Sequence, residues 1–368
     1  MSDPARNTAV DLIRTAALIG ICVVNVTFLA LPGAALMQDP ATPADRFAAD
    51  LVQTVFEGKV FLLFSFLFGW GIAAQMQVAD RQGRAFAPRY GRRLAGLALL
   101  GVLHALLVFT GDILVLYALL GALAWPLRAA APRRLIRLAL AMVPLALVGL
   151  GLLVILLGAG LPEPAYRALA HGFWQATLIR SAEWPPTFVF LLLFQGPLAF
   201  GAILAGLAAA RTGFFQPDSA GRLWLRRAFP WLLVLGLPLN LTVALSPMDD
   251  SLRALLGLLL VAFAAPILSA AWLHGLLWLS NRMTLPAVLA RAGQNSLTAY
   301  LLQGILAGLV FGGHGLGLFG QLGQAALLPL AILLAFVAML LTGLMAGRWG
   351  RGPFEALLRR ITYGPGES

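Results

Sequence analysis

Long apolar runs alternate with short polar breaks along this chain, and the basic residues collect at every second break. Ten apolar runs can be distinguished, and they place 21 of the 26 Lys and Arg residues on one side of a membrane and 5 on the other. Lys and Arg are retained in cytoplasmic loops, and about 20 apolar residues in a helix cross the hydrocarbon core of a bilayer. The pattern therefore predicts an all-α, polytopic membrane protein with both termini in the cytoplasm.

The predicted transmembrane domain occupies the whole chain, from residue 1 to residue 368. No polar stretch is long enough for a separate soluble domain, so any chemistry must take place between helices or at their ends. About ten membrane-spanning helices are predicted: 15–31, 55–78, 94–109, 113–127, 138–158, 187–210, 228–245, 254–279, 294–311 and 325–346.

Composition and charge restrict the class of protein further. Hydrophobic residues make up 60% of the chain and charged residues 11%, which is too apolar for a soluble domain. The net charge of +11 comes from arginines at predicted helix ends, which indicates topology and contact with a lipid bilayer, and no nucleic-acid binding is predicted. The single cysteine, Cys22, excludes an intrachain disulfide. The oligomeric state stays open, a homo-oligomer included.

Ionisable and amide side chains inside the predicted helices are the candidate site residues, because such groups are costly in a membrane unless they meet a partner. Arg14 and Asn25 lie on one face of the first helix, about 16 Å apart along its axis. A helix with this stripe can line a path through the membrane. The alternative is a salt bridge of Arg14 with Asp11, and an Asn25 that bonds a neighbouring helix.

His104 and Asp112 form a second candidate pair, on the third predicted helix and in the turn after it. A neutral histidine can act as a general base, and a carboxylate can orient it. Eight residues of helix span about 12 Å, so a direct hydrogen bond between the two requires the turn to fold back. The alternative is a histidine that is bonded to a main-chain carbonyl.

Two further polar groups lie on the second and the ninth predicted helix. Glu57, Lys59 and Ser65 are at the outer end of the second helix, where basic residues are avoided. They indicate a site for a polar or anionic substrate, or an ion pair of Lys59 with Glu57 or Asp112. Tyr300 and Gln303 are three residues apart and share a helix face, which can line a vestibule or join two helices.

Motifs for metals and nucleotides are missing from the sequence. No pair among the four histidines has the spacing of metal ligands. Phosphate-binding loops, dinucleotide fingerprints and the serine-hydrolase motif are missing as well. The sequence therefore predicts no metal site, and it gives no support for ATP-driven transport.

Several polar segments together carry a family resemblance. In chain order they are DLIRTAALIGICVVN at 11–25, EGKVFLLFSFLFGWG at 57–71, RRLAGLALLGVLHALLVFTGDILVLYALLG at 92–121 and GQNSLTAYLLQ at 293–303. On these segments the chain resembles the YeiB-like bacterial inner-membrane proteins, known as domain of unknown function 418. That family is similar to a wider set of transmembrane acyltransferases, which includes the heparan-glucosaminide N-acetyltransferases and the acyltransferase-3 proteins.

The resemblance implies an enzyme that takes an acyl group from cytoplasmic acyl-CoA and delivers it to a hydroxyl or amine of an envelope glycan or another acceptor. It implies that arginines of the inner side bind the CoA phosphates, namely Arg14, Arg89, Arg92 and Arg93. Acyltransferase-3 proteins have a histidine eleven positions after the first-helix arginine, and this chain has Asn25 there. Asparagine cannot act as a general base at neutral pH.

The remaining candidates then divide the catalytic work. His104 would deprotonate the acceptor, Asp112 would orient His104, and Asn25 would donate a hydrogen bond to the developing oxyanion. Substrate would be held by Glu57, Lys59, Ser65, Tyr300 and Gln303. The competing hypothesis is a proton-coupled transporter or carrier of a small or lipid-like solute, with His104 and Asp112 as proton carriers. A non-catalytic membrane scaffold is the third.

Overall fold

The fold is described from a computed structural model, which describes residues 8–36, 38–83, 85–160, 167–246 and 251–364. Arg84 of a predicted basic break and residues 247–250 of a predicted turn lie outside this part of the chain. The helices are α1 Thr8–Ala30, α2 Gly33–Leu36, α3 Pro43–Val55, α4 Val60–Arg81, α5 Phe86–Leu107, α6 Leu114–Ala124, α7 Pro132–Gly158, α8 Phe173–Phe194, α9 Gly196–Arg211, α10 Ala220–Ala244, α11 Leu252–Ser280, α12 Ala287–Gln294, α13 Ser296–Phe311, α14 Gln324–Trp349 and α15 Pro353–Tyr363.

Among the described residues, six stretches are long and apolar enough to cross a membrane. They are α1, α3 together with α4, α7, α10, α11 and α14. The α8–α9 pair is a seventh if it is counted as one bent span. The stretch Leu114–Leu127 and α13 are apolar but shorter. The described residues contain no strand, so the prediction of an all-α protein with several apolar, membrane-type helices is confirmed in that part of the chain.

The predicted single helix over 187–210 is broken. The chain runs from α8 into α9 with a bend of 56° at Gln195. Pro197 has no N–H to donate to the carbonyl of Leu193, which removes one helical hydrogen bond at this point. The Leu193 carbonyl oxygen instead points at α7, where a Cβ added to Gly149 would lie 2.7 Å from it. The α8 helix begins at Phe173, inside the segment 159–185, which was expected to be an outer segment with a short amphipathic helix at the membrane interface.

Helices α4 and α9 approach each other closely at two glycines. A Cβ added to Gly69 would overlap the main-chain oxygen of Ile203, and one added to Gly206 would overlap that of Phe66. Small residues let the backbones of membrane helices come close, and packing then contributes to their association. The α4–α9 contact is therefore set by glycine positions on both helices.

Gly206→Ala is expected to destabilise the protein by about 3 kcal/mol or more, because neither backbone at this crossing can move aside as a flexible side chain would. The measurement is thermal unfolding of the purified protein in detergent. Gly151→Ala is the matched control in α7, where an added Cβ meets nothing within 4 Å. There the better helix propensity of Ala should leave stability equal or slightly higher. An unchanged unfolding temperature for Gly206→Ala would contradict the close contact.

The interior of the bundle is where the polar candidates meet. Helix α1 packs against α4, α12, α13 and α14, and α5 packs against α6 and α8. The largest apolar cluster joins side chains of α1, α4, α5, α6, α7 and α9. Helix α15 lies across α5, and a Cβ on Gly96 of α5 would meet Leu358 and Ile361 of α15. This arrangement turns one face each of α1, α5 and α13 toward a common interior region.

Candidate functional site

His104 and Asp112 are joined by a direct hydrogen bond. Helix α5 ends at Leu107, and the chain turns so that Asp112 N donates to Phe109 O at 3.1 Å. The turn folds Asp112 back onto α5, and His104 Nδ1 lies 2.8 Å from Asp112 Oδ2. The side chains of both residues are almost fully buried. The fold-back that the sequence required for this pair is present.

The carboxylate of Asp112 is surrounded by donors. Leu114 N donates to Oδ1 at 2.8 Å, and the Tyr300 hydroxyl donates to Oδ2 at 3.0 Å. An acceptor with these partners takes the hydrogen of His104 Nδ1 as well, which fixes the histidine tautomer. His104 Nε2 is then the basic nitrogen, and it is buried with no hydrogen-bond partner among the described residues. The pair therefore has the geometry of a general base, His104, whose ring is oriented by a carboxylate, Asp112.

Arg180 of α8 holds the end of α5 next to this pair. Its guanidinium donates to the carbonyls of Leu106 at 2.8 Å and Leu107 at 2.9 Å. These carbonyls belong to the last turn of α5, where the helix leaves its acceptors unsatisfied and where positive charge is favourable. Arg180 is 2% exposed, although it was expected in an outer segment with a short amphipathic helix at the membrane interface. It is a positioning residue for the turn that carries Asp112.

The unpartnered Nε2 atom of His104 adjoins a small cavity between α1, α5 and α13. The cavity has a volume of about 10 Å³, the room of a single water molecule. Its polar lining comes from His104, Asn25, Gln303 and Tyr300, and Cys22 is beside them. The structure thus brings Asn25 to the same void as His104.

A larger cavity, which we call the arginine chamber, also has Tyr300 in its lining. Its volume is about 150 Å³, and Arg14 of α1 and Arg93 of α5 line it together with Tyr117 of α6. Tyr300 lines both this chamber and the small cavity, so the two voids share this residue. The two arginines are therefore connected to the His104 pair through one tyrosine.

A surface groove continues from the arginine chamber. It has a volume of about 200 Å³ and is lined by Arg89, Tyr90 and, from α15, Tyr363. Gln75 lines both the groove and the chamber, so the two are neighbours. The guanidinium of Arg89 lies over the Tyr363 ring, 5.2 Å from its centre. Arg92, the remaining predicted phosphate ligand, is exposed on the surface of α5.

Lys59 is bound elsewhere, between α4 and α10. Its Nζ donates to the main-chain oxygen of Gln53 at 2.6 Å and to Asn240 Oδ1 at 2.9 Å. Asn240 in turn donates to the main-chain oxygens of Gly236 and Ala264, each at 2.8 Å. These partners tie the break between α3 and α4 to two further helices. The hydrogen bonds of Lys59 are with neutral oxygens, and Glu57 interacts with it electrostatically.

Ser65 and Glu57 differ in their relation to the cavities. Ser65 donates to the Tyr117 hydroxyl at 3.0 Å, and that hydroxyl donates to Phe61 O at 3.1 Å. Ser65 therefore orients Tyr117, which lines the arginine chamber, although Ser65 itself does not line it. Glu57 is half-buried in the same break as Lys59. Tyr300 and Gln303, in contrast, both line the small cavity.

Glu355 of α15 was not singled out from the sequence, and it caps α13 near the arginine chamber. Its Oε1 accepts from Leu297 N at 2.7 Å and from Thr298 N at 3.1 Å, the place where a helix N-terminus attracts negative charge. Burial raises the pKa of Glu355, and the hydrogen bonds from Thr298 oppose that rise. Glu355 also interacts electrostatically with Arg14 and Arg93.

Sequence reasoning missed several residues of the site. Long-range hydrogen bonds define the roles of Tyr117, Glu355, Asn240 and Arg180, and Gln75 lines both the surface groove and the arginine chamber. The only signal in the sequence is that each is a polar group within or beside an apolar run. Over the described residues, no group of three or more His, Cys, Asp or Glu is arranged to hold a metal ion.

Comparisons with known proteins agree on one family. The family model described as "Protein of unknown function (DUF418)" matches residues 209–365. The chain is 30% identical to the uncharacterized protein YxaH of Bacillus subtilis, over 96% of this chain and 93% of that protein. It is also 30% identical to the uncharacterized protein YeiB of Escherichia coli, over 97% of this chain and 96% of that protein. No solved structure was found to match. The chain belongs to the YeiB-like DUF418 family of uncharacterized proteins.

Proposed function

We propose that this protein is a membrane acyltransferase that moves an acyl group from acyl-CoA to an acceptor at the opposite side of the membrane. The observation that supports it is the series of voids from the surface groove, through the arginine chamber, to the unpartnered Nε2 of His104. Acyl transfer needs an anion site for the donor and a general base for the acceptor, and it needs them connected. Along this series of voids, arginines offer the anion site, the chamber offers the connection and His104 offers the general base.

The donor would enter from the side of the basic breaks. Arg89 in the groove and Arg14 with Arg93 in the chamber offer guanidinium groups for the CoA phosphates, which they can bind in bidentate fashion. The pantetheine arm would extend through the chamber toward Tyr300. The phosphates would replace Glu355 in its electrostatic interaction with the two chamber arginines.

The reacting groups would meet at the small cavity. His104 Nε2 accepts the proton of the attacking acceptor, and Asp112 stabilises the imidazolium that forms. Asn25 lines the cavity with an amide that can donate to the oxyanion of the tetrahedral intermediate. Tyr300 lines both the chamber and the cavity, and in this proposal its side chain turns to let the thioester reach His104.

The topology of this proposal follows the charge pattern. The basic breaks would face the cytoplasm of a bacterial cell and the turn with Asp112 would face the envelope, with both termini cytoplasmic and the protein in the inner membrane. Besides the six long apolar stretches, α5, α6, α13 and the α8–α9 pair would also cross, which gives about ten spans. This orientation puts the groove where acyl-CoA is found.

The test is release of free CoA thiol from acetyl-CoA by the purified protein in lipid nanodiscs, in the presence of bacterial envelope extract as the source of acceptor. CoA release that depends on the extract, with a new acyl group in the acceptor fraction, is the expected result. Absence of any release, with a protein that is folded by thermal unfolding, would contradict acyl transfer.

Arg14→Gln and Arg93→Gln are each expected to weaken acetyl-CoA binding about 10-fold, because a hydrogen bond to a charged group contributes about 1.5–3 kcal/mol. Isothermal titration with acetyl-CoA measures the change. Arg134→Gln is the matched control, since Arg134 is an exposed arginine at the start of α7 on the same side of the bundle. Equal affinity for wild type and both chamber variants would rule out the chamber as the CoA site.

A proton-coupled carrier is the second candidate, and the bend between α8 and α9 favours it. Broken helices are common where transporters bind their solutes. In this alternative His104 and Asp112 bind and release protons, and acyl-CoA is not consumed. Proteoliposomes with an imposed pH gradient distinguish the two functions: uptake of a solute that depends on the gradient, with no thiol release from acetyl-CoA, supports the carrier.

A further inference from the structure

Two hydrogen-bond acceptors at the small cavity lack a donor. His104 Nε2 and Gln303 Oε1 are both buried without a partner in the described part of the chain. In each side chain the other polar atom is already used as a donor, so these two atoms remain acceptors. Gln303 Nε2 donates to the main-chain oxygen of Leu18 at 3.1 Å, which leaves the oxygen as the free end of the amide. Asp112 fixes Nδ1 of His104 as the other donor.

The cavity admits one small group, and that group must supply hydrogens to two acceptors. A buried acceptor without a donor is unfavourable, and the two here line a void of about 10 Å³. Gly304 keeps the void open, because a Cβ at that position would lie 2.5 Å from His104 Nε2. A hydroxyl group has a single hydrogen and satisfies one of the acceptors. A primary amine has two, and so does water.

The geometry points to a primary amine of the acceptor substrate as the group that this cavity receives, so that the product is an amide and not an ester. The conversion of this amine into an amide rests on the proposed acyl transfer. One N–H meets His104 Nε2 and the other meets Gln303 Oε1. Water fills the cavity between turnovers.

The transfer step is balanced without any further reactant. The amine nitrogen attacks the thioester carbonyl carbon, and a C–N bond forms as the carbonyl electrons move to oxygen near Asn25. The proton on nitrogen passes to His104 Nε2. The tetrahedral intermediate then expels the CoA thiolate with cleavage of the C–S bond, and the thiolate takes the proton from His104. The products are the amide and free CoA thiol.

The test compares ethylamine with ethanol as acceptors of the acetyl group from acetyl-CoA, using the full chain in lipid nanodiscs. In Gln303→Leu we expect the efficiency with ethylamine to fall about 10-fold or more, because one N–H then meets no acceptor, while the efficiency with ethanol changes little. Amines are intrinsically more reactive than alcohols, so the ratio of the two efficiencies in each variant is compared with the same ratio in the wild-type protein. Gln303→Glu keeps an oxygen at the cavity and should retain the wild-type preference for ethylamine.

Two kinetic outcomes would overturn the inference. One is an equal loss for ethylamine and ethanol in Gln303→Leu, which would mean a general structural effect. The other is loss of the ethylamine preference in Gln303→Glu together with Gln303→Leu, which would mean that the bond to Leu18 is what matters.

Failure of acyl transfer itself is detected separately. Ethylamine binding without acetyl-CoA is followed through the ¹⁵N chemical shift of the histidine signal that is missing in His104→Ala. A shift with ethylamine and none with ethanol, abolished in Gln303→Leu, supports the amine site even if no CoA is released, and only the proposed transfer is then wrong. No shift with ethylamine in the wild-type protein overturns the amine site.

Discussion

Replacing His104 with Ala is expected to lower the rate of acyl transfer by about 10²- to 10⁴-fold, the contribution of a positioned general base. The reason is that Nε2 is the free basic nitrogen at the small cavity. Thermal stability should stay near wild type, because the carboxylate of Asp112 keeps its donors Leu114 N and the Tyr300 hydroxyl. CoA release from acetyl-CoA and thermal unfolding measure the two quantities.

His274→Ala is the matched control for this variant. His274 is a half-buried histidine in α11 that packs on the Phe229 ring, with 4.6 Å between ring centres. Its loss should leave the rate unchanged. Full activity of His104→Ala would remove the catalytic assignment. An equal loss of rate in both variants would mean that any histidine deletion disturbs the bundle.

Gly304→Ala is expected to reduce turnover about 100-fold without a comparable change in acetyl-CoA affinity. The added methyl group would lie 2.5 Å from His104 Nε2 and 3.0 Å from a methyl carbon of Val108, so the imidazole must move and the small cavity is filled. A displacement of about 1 Å at a reacting group can cost that factor in rate. The arginine chamber is lined by other residues, so donor binding should persist. Kinetics and titration with acetyl-CoA separate the two effects.

Gly308→Ala provides the control on the same helix, one turn further along α13. A Cβ at Gly308 meets nothing within 4 Å, so this substitution changes helix propensity and not the cavity. Wild-type turnover in Gly308→Ala with strong loss in Gly304→Ala is the expected contrast. Wild-type turnover in both variants would show that the small cavity is not where the acyl group is transferred.

Much of the architecture could be predicted from local properties of the sequence. The apolar runs predicted α1, α7, α10, α11 and α14 as long helices, although α1, α7 and α10 begin six to eight residues earlier than predicted. Helix length and hydropathy depend on neighbouring residues, which is why this level of prediction succeeded. The bend at Gln195 was missed because Pro197 is inside a run whose hydropathy continues through it.

The candidate site could be predicted as a set of residue types and only partly as a set of neighbours. The His104–Asp112 pair is eight residues apart, so one turn decides its geometry, and the required fold-back could be stated in advance. Lys59 was grouped with its sequence neighbours, but its side chain reaches Asn240, 181 positions away. Arg180 was assigned to an outer interfacial segment, and its partners on α5 are more than 70 positions away.

The sequence by itself determined that this is an all-α membrane protein, and which polar groups are placed within its apolar helices, because length, hydropathy and charge are properties of short segments. The tertiary structure alone decided that Asn25, His104 and Gln303 share one void and that Arg14 and Arg93 share the next. Such neighbours are set by the packing of helices far apart in the chain, as the Gln303–Leu18 bond across 285 positions illustrates. Packing of that kind depends on the shapes of all the side chains together, and no local pattern encodes it.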